Sequence, residues 1–412
     1  MFLLNRLSKK AANMEYKRAL LNTLTQRITD KRKFIQVIAG PRQTGKTTLA
    51  RQLLKEIKIL SYFHSADDTT EAGSVWIDQI WETTRIQMQL KKAKEAVLFI
   101  DEIQKINNWS ECVKKNWDKD TANDLQLKLI ILGSSRLLLE DGLSESLLGR
   151  FEMNYLGHWK FSEMKEAFSF SAQQYIWFGS YPGAADLIND ENRFKNYIRN
   201  SVIEPSLNRD ILLTTKISKP ALLRQLFEIS TQYSAQILSF NKMLGQLSDA
   251  GNTTTLARYL TLLGQSGLIA GLNKYSQKPI IEKLSIPKLQ VYNTALTTAL
   301  RTESFAEAIS NPVFWGHILE SSVGAYLINQ ADEFPDIKLY YWREKNAEMD
   351  FVVKYGKKIF GIEVKSNTEK INAISRETFS ACFPGSRLIL VGDSGISYEE
   401  FMLTPLPELF AK

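Results

Sequence analysis

The stretch Gly40-Pro41-Arg42-Gln43-Thr44-Gly45-Lys46-Thr47 decides the fold of this chain. It fits the phosphate-binding pattern G-x-x-x-x-G-K-[ST] at every fixed position. The apolar, β-branched run at 34–39 has the character of a buried strand, and the run at 47–58 has helical spacing. A strand, a glycine-containing loop and a helix in this order form the context in which the pattern binds phosphate. The sequence therefore predicts a nucleotide site.

Each part of this loop has an expected task. The glycines let backbone N–H groups converge on the phosphates, and the start of the following helix adds partial positive charge. Lys46 can reach the β- and γ-phosphates, and the Thr47 hydroxyl can hold Mg²⁺. We expect the ATP to be bound by the loop and the residue that follows it, namely Gly40, Pro41, Arg42, Gln43, Thr44, Gly45, Lys46, Thr47 and Thr48.

Two further apolar runs end in polar residues and predict hydrolysis of the nucleotide. The run at 96–100 is followed by Asp101, which would order Mg²⁺, and by Glu102, which would polarise the attacking water. The run at 127–133 is followed by Ser134 and Ser135. Either serine could contact the γ-phosphate or the attacking water, and the sequence does not choose between them. We assign catalytic roles to Lys46, Glu102 and Ser134.

Length and composition exclude several other classes of protein. A chain of 412 residues has room for two to four domains. Its longest apolar runs are six or seven residues, whereas a membrane helix needs about 20. Met1-Phe2-Leu3-Leu4 is followed at once by polar residues, so we expect no signal peptide. With only Cys112 and Cys382, and three scattered histidines, we expect neither a disulfide framework nor a zinc site. A cytoplasmic location is the expectation.

The net charge of +7 is concentrated at the start of the chain. Residues 1–33 hold nine basic and two acidic residues, and the remainder is balanced with 43 of each. The excess positive charge therefore lies in residues 1–33, which we call the basic leader, and the rest of the chain has no net charge. This leader could bind phosphate backbones, or it could be a solvated helix that runs into the nucleotide domain. The sequence leaves both alternatives open.

Patterns of strands, helices and turns predict an α/β protein of five segments. Residues 1–33 form a basic helical segment, with one amphipathic helix at 14–30. Strands alternate with helices over 34–160, which predicts a parallel sheet with both faces covered. The remaining segments are a helical lid at 161–215, a winged helix at 216–300 and a last α/β domain at 310–412.

The order of elements within 216–300 is typical of a winged helix-turn-helix. A helix, a short helix, a polar turn at 248–252, a longer helix and the first strand of a hairpin follow one another. Thr253, Thr254 and Arg258 would lie on the exposed face of the longer helix. Because this face is only lightly basic, DNA contact and protein–protein contact both remain open.

The last domain carries a second group of carboxylates. Asp350 lies in one strand and Glu363 in the next, with Lys365 two residues further on the same face. Glu320 in the preceding helix can add another carboxylate. Metal-dependent nucleases use such a set to hold Mg²⁺ and activate water. We expect metal binding with weak or no DNA cleavage by this domain.

Taken together, these motifs resemble the bacterial and archaeal AAA+ ATPases whose C-terminal domain of unknown function resembles PD-(D/E)xK restriction endonucleases. The resemblance covers nearly the whole chain. It is carried by the phosphate loop, the Asp101-Glu102 pair, Leu147-Leu148-Gly149-Arg150, Phe161-Ser162-Glu163, Phe178-Gly179-Ser180-Tyr181-Pro182, Asn208-Arg209-Asp210, the winged-helix pattern, and Glu320 with Asp350, Glu363 and Lys365. It implies an AAA+ P-loop core, a helical lid, a winged helix and a restriction-endonuclease-like domain.

The resemblance also implies assembly and a residue that acts on a neighbouring subunit. ATPases of this kind commonly form rings in which an arginine completes the neighbour's site. Arg150 is the first candidate for that catalytic arginine and Arg136 the second, although Arg150 could instead be a structural residue that caps a strand. One departure is Asn293, where relatives tend to have an aspartate.

These observations predict an oligomeric, Mg²⁺-dependent ATPase, a ring or a dimer, that acts on nucleic acid. Its cofactors would be ATP and Mg²⁺, and its partner would be branched or single-stranded DNA. One alternative is a nucleotide-dependent switch that binds a protein partner and carries a degenerate nuclease fold. Another is a nuclease gated by ATP. Steep weakening of DNA binding with salt would favour the first reading.

Overall fold

The computed structural model describes residues 16–68, 73–133, 146–212, 217–247, 252–278, 280, 282 and 285–411. These residues form two compact units. The first holds 16–38, 45–133 and 146–154, and the second holds 39–44 and 155–411. The segments predicted as lid, winged helix and last domain therefore fall together in the second unit.

One sheet runs through the first unit. Its strands are β1 (Ile35–Ala39), β2 (Leu60–Ser65), β3 (Glu95–Asp101), β4 (Gln126–Gly133) and β5 (Phe151–Tyr155). Among the described residues they lie in the order β2-β3-β4-β1-β5, and both β2–β3 and β3–β4 are parallel. All of β1, and all but the first residue of β3 and of β4, are buried. Continuous burial of this kind is typical of parallel strands with helices on both faces, as the sequence predicted.

The helices of the first unit are α1 (Leu20–Thr29), α2 (Lys46–Glu56), α3 (Ser74–Leu90) and α4 (Trp109–Ala122). Helix α1 begins at Leu20, so the prediction of a helix from residue 14 is wrong for residues 16–18. The carbonyl of Tyr16 accepts a hydrogen bond from the Gln52 side chain of α2 at 2.8 Å. This contact ties the chain to α2 before α1 begins. Residues 1–15 of the basic leader lie outside the described residues.

Basic residues of the described part of the leader contact protein groups. The guanidinium of Arg32 lies 3.4 Å from the centre of the Trp117 ring. Arg27 donates a hydrogen bond to the side-chain oxygen of Asn154 at 2.7 Å, and Lys17 pairs with a glutamate of α2. For this part of the chain, the contacts favour a structural role over the binding of phosphate backbones.

Helices dominate the second unit. They are α5 (Phe161–Phe168), α6 (Ala172–Phe178), α7 (Glu191–Tyr197), α8 (Pro220–Gln232), α9 (Phe240–Leu244), α10 (Thr253–Gln265), α11 (Ala295–Thr298), α12 (Phe305–Ser310), α13 (Pro312–Glu333), α14 (Ala373–Cys382), α15 (Tyr398–Leu403) and α16 (Leu406–Ala411). Between α7 and α8 the chain forms two π-helical segments, Ile198–Ile203 and Ser206–Leu212. Trp177 of α6 packs on Phe314 of α13, with ring centres 6.2 Å apart. The predicted lid and the last domain therefore contact each other through aromatic side chains.

The segment predicted as a winged helix has the expected order of elements. Helices α8, α9 and α10 are followed by β6 (Ile269–Leu272), which pairs antiparallel with β7 (Lys288–Val291). Asn252 caps α10, since its side-chain oxygen accepts from the backbone N–H of Thr255 at 2.8 Å. Most of the predicted polar turn, residues 248–251, lies outside the described residues. Membership of the winged-helix fold stays a prediction.

A second sheet follows α13. Its strands are β8 (Ile337–Glu344), β9 (Ala347–Tyr355), β10 (Lys358–Val364) and β11 (Arg387–Val391). In the described chain they lie in the order β11-β10-β9-β8, with β11 parallel to β10 and the other pairs antiparallel. Phe379 of α14 packs on Trp342 of β8, with ring centres 5.2 Å apart. The predicted strands and the helix before them are confirmed, whereas the nuclease-like fold stays a prediction.

Over the part of the chain that the structure describes, no helix is both long and apolar enough to cross a membrane.

Candidate nucleotide site and carboxylate cluster

The phosphate loop ends in a left-handed turn that starts a helix. Gly45 has φ +93°, a conformation that residues with a side chain rarely adopt, and it caps α2. Lys46 is the first residue of α2 and is 7% exposed. The amide groups of this first turn and the dipole of α2 are directed towards the loop. This backbone can surround a phosphate group, as the sequence predicted.

The first half of the loop, residues 40–44, belongs to the second unit and is held by its side chains. Trp159 donates an indole hydrogen bond to the carbonyl of Thr44 at 3.0 Å. Tyr197 donates its hydroxyl to the side-chain oxygen of Gln43 at 3.2 Å. A side chain at Gly40 would lie 2.1 Å from the carbonyl oxygen of residue 156, so only glycine fits there. Several elements of the second unit therefore determine the shape of residues 40–44.

The predicted Mg²⁺ residues lie together. The hydroxyl of Thr47 donates to a carboxylate oxygen of Asp101 at 2.8 Å. Asp101 is 5% exposed, and its burial raises the pKa of its carboxyl group above the ordinary value, although the Thr47 hydrogen bond opposes this. Hydroxyl and carboxylate oxygens are hard ligands of the kind that Mg²⁺ prefers. The donor set therefore fits the metal that the loop motif predicts.

Glu102 follows the metal residue in a strained conformation. Its φ of 52° and ψ of 35° are left-handed, which is uncommon outside glycine. Its backbone N–H donates to the second carboxylate oxygen of Asp101 at 2.9 Å. Its own carboxylate accepts a hydrogen bond from Gln104. Strained backbone conformations of this kind are frequent at functional sites. At Glu102 the left-handed conformation turns the chain out of the extended path of β3.

The other predicted catalytic residues have different outcomes. Ser134, Ser135 and Arg136 lie outside the described residues. Arg150 forms a two-pronged ion pair with Asp118 of α4, with N–O distances of 2.8 and 3.1 Å. This hydrogen bonding raises the pKa of the Arg150 guanidinium. Arg150 thus pairs with a residue of the same chain, and no sequence motif indicated this pair.

The carboxylate cluster of the last domain lies where three elements meet. We define it as Glu320 of α13, Asp350 of β9 and Glu363 of β10. Asp350 accepts a hydrogen bond from the backbone N–H that follows Glu363, at 2.8 Å. Lys365 pairs with one oxygen of Glu363 at 3.0 Å, which confirms that the two share a face. The other oxygen of Glu363 is buried without a hydrogen-bond partner among the described residues.

The cluster contains a cation that the sequence did not predict. Lys288 of β7 is 4% exposed, and its amine lies 2.6 Å from Glu320 and 2.8 Å from the backbone carbonyl of Asp350. Within the described ranges, no three His, Cys, Asp or Glu side chains are arranged to hold a metal ion. Lys288 engages one carboxylate of this set. Metal binding by Glu320, Asp350, Glu363 and Lys365 stays a prediction. The one available signal was a lysine at the start of a short strand that is buried along its whole length.

Burial and mutual repulsion shift the pKa values of this cluster. Burial, followed by the charge of Asp350, raises the pKa of Glu320 to about 8 and that of Glu363 to about 7. Burial alone would lower the pKa of Lys288, but Glu320 and Asp350 outweigh it and raise that pKa. Lys288 therefore stays protonated, while Glu320 and Glu363 hold their protons to a higher pH than usual.

The predicted recognition residues are exposed on α10. Thr253, Thr254 and Arg258 all face solvent, whereas Leu256 and Tyr259 on the opposite face are buried. Helix α10 carries a single basic residue, Arg258. The three residues are exposed as the sequence predicted, and Arg258 remains the one positive charge on this helix.

Family models match this chain in three separate parts. Residues 32–165 match an AAA domain, residues 169–306 a domain of unknown function (DUF8612) and residues 315–409 another (DUF4143). The part of the chain that holds the phosphate loop, residues 32–165, is thus similar to an AAA domain. The matches say nothing of a winged helix or of a restriction-endonuclease-like domain, and both stay predictions.

The chain is also similar to whole proteins. An uncharacterised protein of Methanocaldococcus jannaschii is 25% identical over 339 residues, which make up 77% of this chain and 72% of that protein. An uncharacterised protein of Mycobacterium tuberculosis is 26% identical over 356 residues, 84% of this chain and 73% of that protein. Among solved structures, a Walker-type ATPase of Pyrococcus abyssi is 15% identical with a TM-score of 0.46. The match covers 71% of this chain and 99% of that one.

Proposed function

We propose that this chain is a cytoplasmic, Mg²⁺-dependent ATPase that works as an oligomer and couples its nucleotide cycle to the binding of DNA. One observation carries the proposal: the phosphate loop is followed by a Thr47–Asp101 pair and is held at Thr44 by Trp159 of the second unit. The AAA domain match over 32–165 supports the ATPase part. The two cysteines are free thiols, which fits a reducing compartment.

In this proposal each residue of the site has one task. Lys46 binds the β- and γ-phosphates, and the loop amides hold their remaining oxygens. Thr47 and Asp101 hold Mg²⁺, which when bound neutralises charge that develops on the phosphates. Glu102 orients the attacking water from its turn after β3. Arg150 of a neighbouring subunit contacts the γ-phosphate after it leaves Asp118.

The coupling step is proposed to begin at residues 40–44. A γ-phosphate that draws the loop amides inwards would strain the hydrogen bonds from Trp159 to Thr44 and from Tyr197 to Gln43. The Trp159 bond is buried and the Tyr197 bond is exposed, and loss of the buried bond costs about 1 kcal/mol. Loss or gain of these bonds is enough to shift a two-state equilibrium by several-fold. The nucleotide state can in this way bias the arrangement of the second unit.

The proposed DNA contact is the exposed face of α10. Its threonine hydroxyls and Arg258 are groups that donate to phosphates and to base edges. Lys242 on α9 is exposed as well and adds a positive charge to that of Arg258. With so few charges, we expect moderate affinity that depends on the shape of the DNA, in keeping with branched or single-stranded substrates.

Salt dependence of DNA binding tests this contact. Each phosphate neutralised by a lysine or arginine contributes about −0.9 to the slope of log K against log salt for duplex DNA, and about −0.7 for single strands. Arg258→Gln should reduce the slope by about one such contribution. Lys357→Gln, which removes an exposed charge from the hairpin turn between β9 and β10, is the matched control and should leave the slope unchanged.

A second candidate function is a nucleotide-dependent switch that binds a protein partner. The observation in its favour is that Arg258 is the only basic residue of α10. The two candidates are separated by ATPase activity measured with and without duplex, single-stranded and branched DNA. Stimulation by any of these supports the DNA reading. No stimulation, together with no salt-dependent binding, would replace it with the switch.

A further inference from the structure

The carboxylate cluster contains a built-in cation contributed by the segment before the last domain. Lys288 lies on β7, 32 residues before Glu320 in the sequence. Its amine is 2.6 Å from Glu320 and 2.8 Å from the Asp350 carbonyl. It also lies 4.4 Å from the centre of the Phe351 ring. A carboxyl oxygen, a carbonyl dipole and an aromatic face all stabilise a positive charge, so this pocket is built for an ammonium group.

The rest of the cluster is incompletely neutralised. Glu363 is 5% exposed, and Lys365 pairs with only one of its oxygens. Its second oxygen is buried and has no hydrogen-bond partner in the part of the chain described. Three carboxylates therefore share two ammonium groups, one of which is fixed in a strand. The arrangement attracts cations, but the position beside Glu320 is taken.

We propose that the Lys288 ammonium takes the place of a divalent cation in this cluster, so that the full-length protein binds no metal ion there. A divalent cation would need the Glu320 oxygen that Lys288 engages, and it would then lie against a buried positive charge. Moving Lys288 away would leave a buried ammonium without partners, which is strongly unfavourable. The lysine thus acts as a permanent counter-ion, and the last domain uses its carboxylates for structure.

The origin of Lys288 has a consequence for experiments on this domain. Residues 310–412, the last domain predicted from the sequence, do not include β7. A fragment of that length would expose the carboxylates without their counter-ion, and it could acquire a metal site that the whole protein lacks. Tests of the proposal therefore use the full chain.

Binding of Mn²⁺, measured by electron paramagnetic resonance in the absence of nucleotide, tests the proposal. Some Mn²⁺ can also bind weakly at Asp101. We therefore count as bound at the cluster only the Mn²⁺ that is lost when Glu363→Gln is introduced. We expect no Mn²⁺ at the cluster in the wild-type protein or in Lys288→Arg, which keeps the charge. In Lys288→Met we expect one Mn²⁺ per chain to be gained, and Lys288→Met combined with Glu363→Gln should lose it again.

Two results would overturn the proposal. The first is that the wild-type protein, with Lys288 in place, binds Mn²⁺ and that Glu363→Gln abolishes this binding. The second is the absence of any gain in a folded variant without the charge. If Lys288→Met fails to fold, Lys288→Gln keeps a donor for Glu320 without the charge, and the same gain is expected from it. Thermal unfolding of each variant establishes that it is folded.

Discussion

The ion pair between Arg150 and Asp118 permits a test of whether Arg150 acts on a neighbouring subunit. Arg150→Ala and Asp118→Asn break the same pair, so their effects on folding should be similar. Only Arg150→Ala removes the guanidinium that would contact the γ-phosphate of the neighbour. Comparison of the two variants therefore separates a catalytic role of Arg150 from a structural one.

The structure sets the size of each effect. The Arg150 and Asp118 side chains are 33% and 44% exposed, so solvent screens the pair despite its two hydrogen bonds. Such pairs contribute about 0.2–1 kcal/mol, which corresponds to a loss of at most about 4 °C in Tm for a unit of this size. An arginine that stabilises the transition state in trans contributes on the order of 10³-fold in turnover, or about 4 kcal/mol. The catalytic effect would greatly exceed the structural one.

Thermal unfolding and phosphate release per subunit measure the two effects. We expect both variants to lose a similar, small amount of stability, Arg150→Ala to lose turnover by roughly 10³-fold, and Asp118→Asn to retain it. Mixing Arg150→Ala subunits with Lys46→Ala subunits should restore part of the activity, because each mixed interface can combine an intact loop with an intact arginine. Equal loss of turnover in Asp118→Asn and Arg150→Ala would refute the reasoning, as would failure of assembled mixtures to recover activity.

Three further predictions follow from the same geometry. Lys46→Ala should abolish ATP binding, whereas Glu102→Gln should keep binding and lose turnover; phosphate release by Glu102→Gln at the parent rate would show that the second acid is misassigned. Because burial raises the pKa of Glu363 to about 7, the folded protein holds a proton that the unfolded chain has lost above about pH 4.5. This carboxyl group should therefore cause stability to fall as pH rises from about 4.5 to about 7 and to change little above that, and Glu363→Gln should flatten the fall between melting curves at pH 5 and 8. Trp159→Phe keeps the ring but loses the indole donor to the loop. It should cost about 1 kcal/mol of stability and weaken ATP binding, and unchanged nucleotide affinity would argue against the proposed coupling through residues 40–44.

Local sequence patterns predicted the first unit well because its elements depend on short-range rules. Apolar strands that are buried on both faces look alike in any parallel sheet, and the phosphate-loop motif fixes its own turn through Gly45. The pairing of Thr47 with Asp101 could be predicted because the carboxyl ends of parallel strands meet at the edge of the sheet where the loop lies. The first residue of α1 could not be predicted in this way, since the chain before it is held by a contact between Tyr16 and Gln52.

The contacts that the sequence did not predict all join residues far apart in the chain. Lys288 meets Glu320 over 32 positions and the Asp350 carbonyl over 62, and Arg150 meets Asp118 over 32. No periodicity or motif records which charged side chain will lie beside which. The sequence could place three carboxylates on adjoining elements, but it could not show that a strand outside the last domain supplies their counter-ion.

Asn293, the one departure from the resemblance, acquires a physical explanation from its hydrogen bonds. Its side-chain oxygen accepts from the backbone N–H of Ser180 at 3.1 Å, and its amide group donates to the Ser180 hydroxyl at 3.0 Å. The amide also lies 3.3 Å from Nδ1 of His158, whose Nε2 lies 3.0 Å from the carbonyl of Gly267. A neutral histidine satisfies both contacts by accepting at Nδ1 and donating at Nε2.

An aspartate in this place would reverse one of those bonds. It has no donor for Nδ1, so His158 would need a second proton and the buried pair would carry opposite charges. His158 precedes Trp159, which donates to the phosphate loop, and a side chain at Gly267 would collide with Pro41 of that loop. The difference between Asn and Asp at position 293 therefore concerns the charge beside residues 40–44 and not the chemistry of hydrolysis. With asparagine, all of these hydrogen bonds can form without a charge on any member of the cluster.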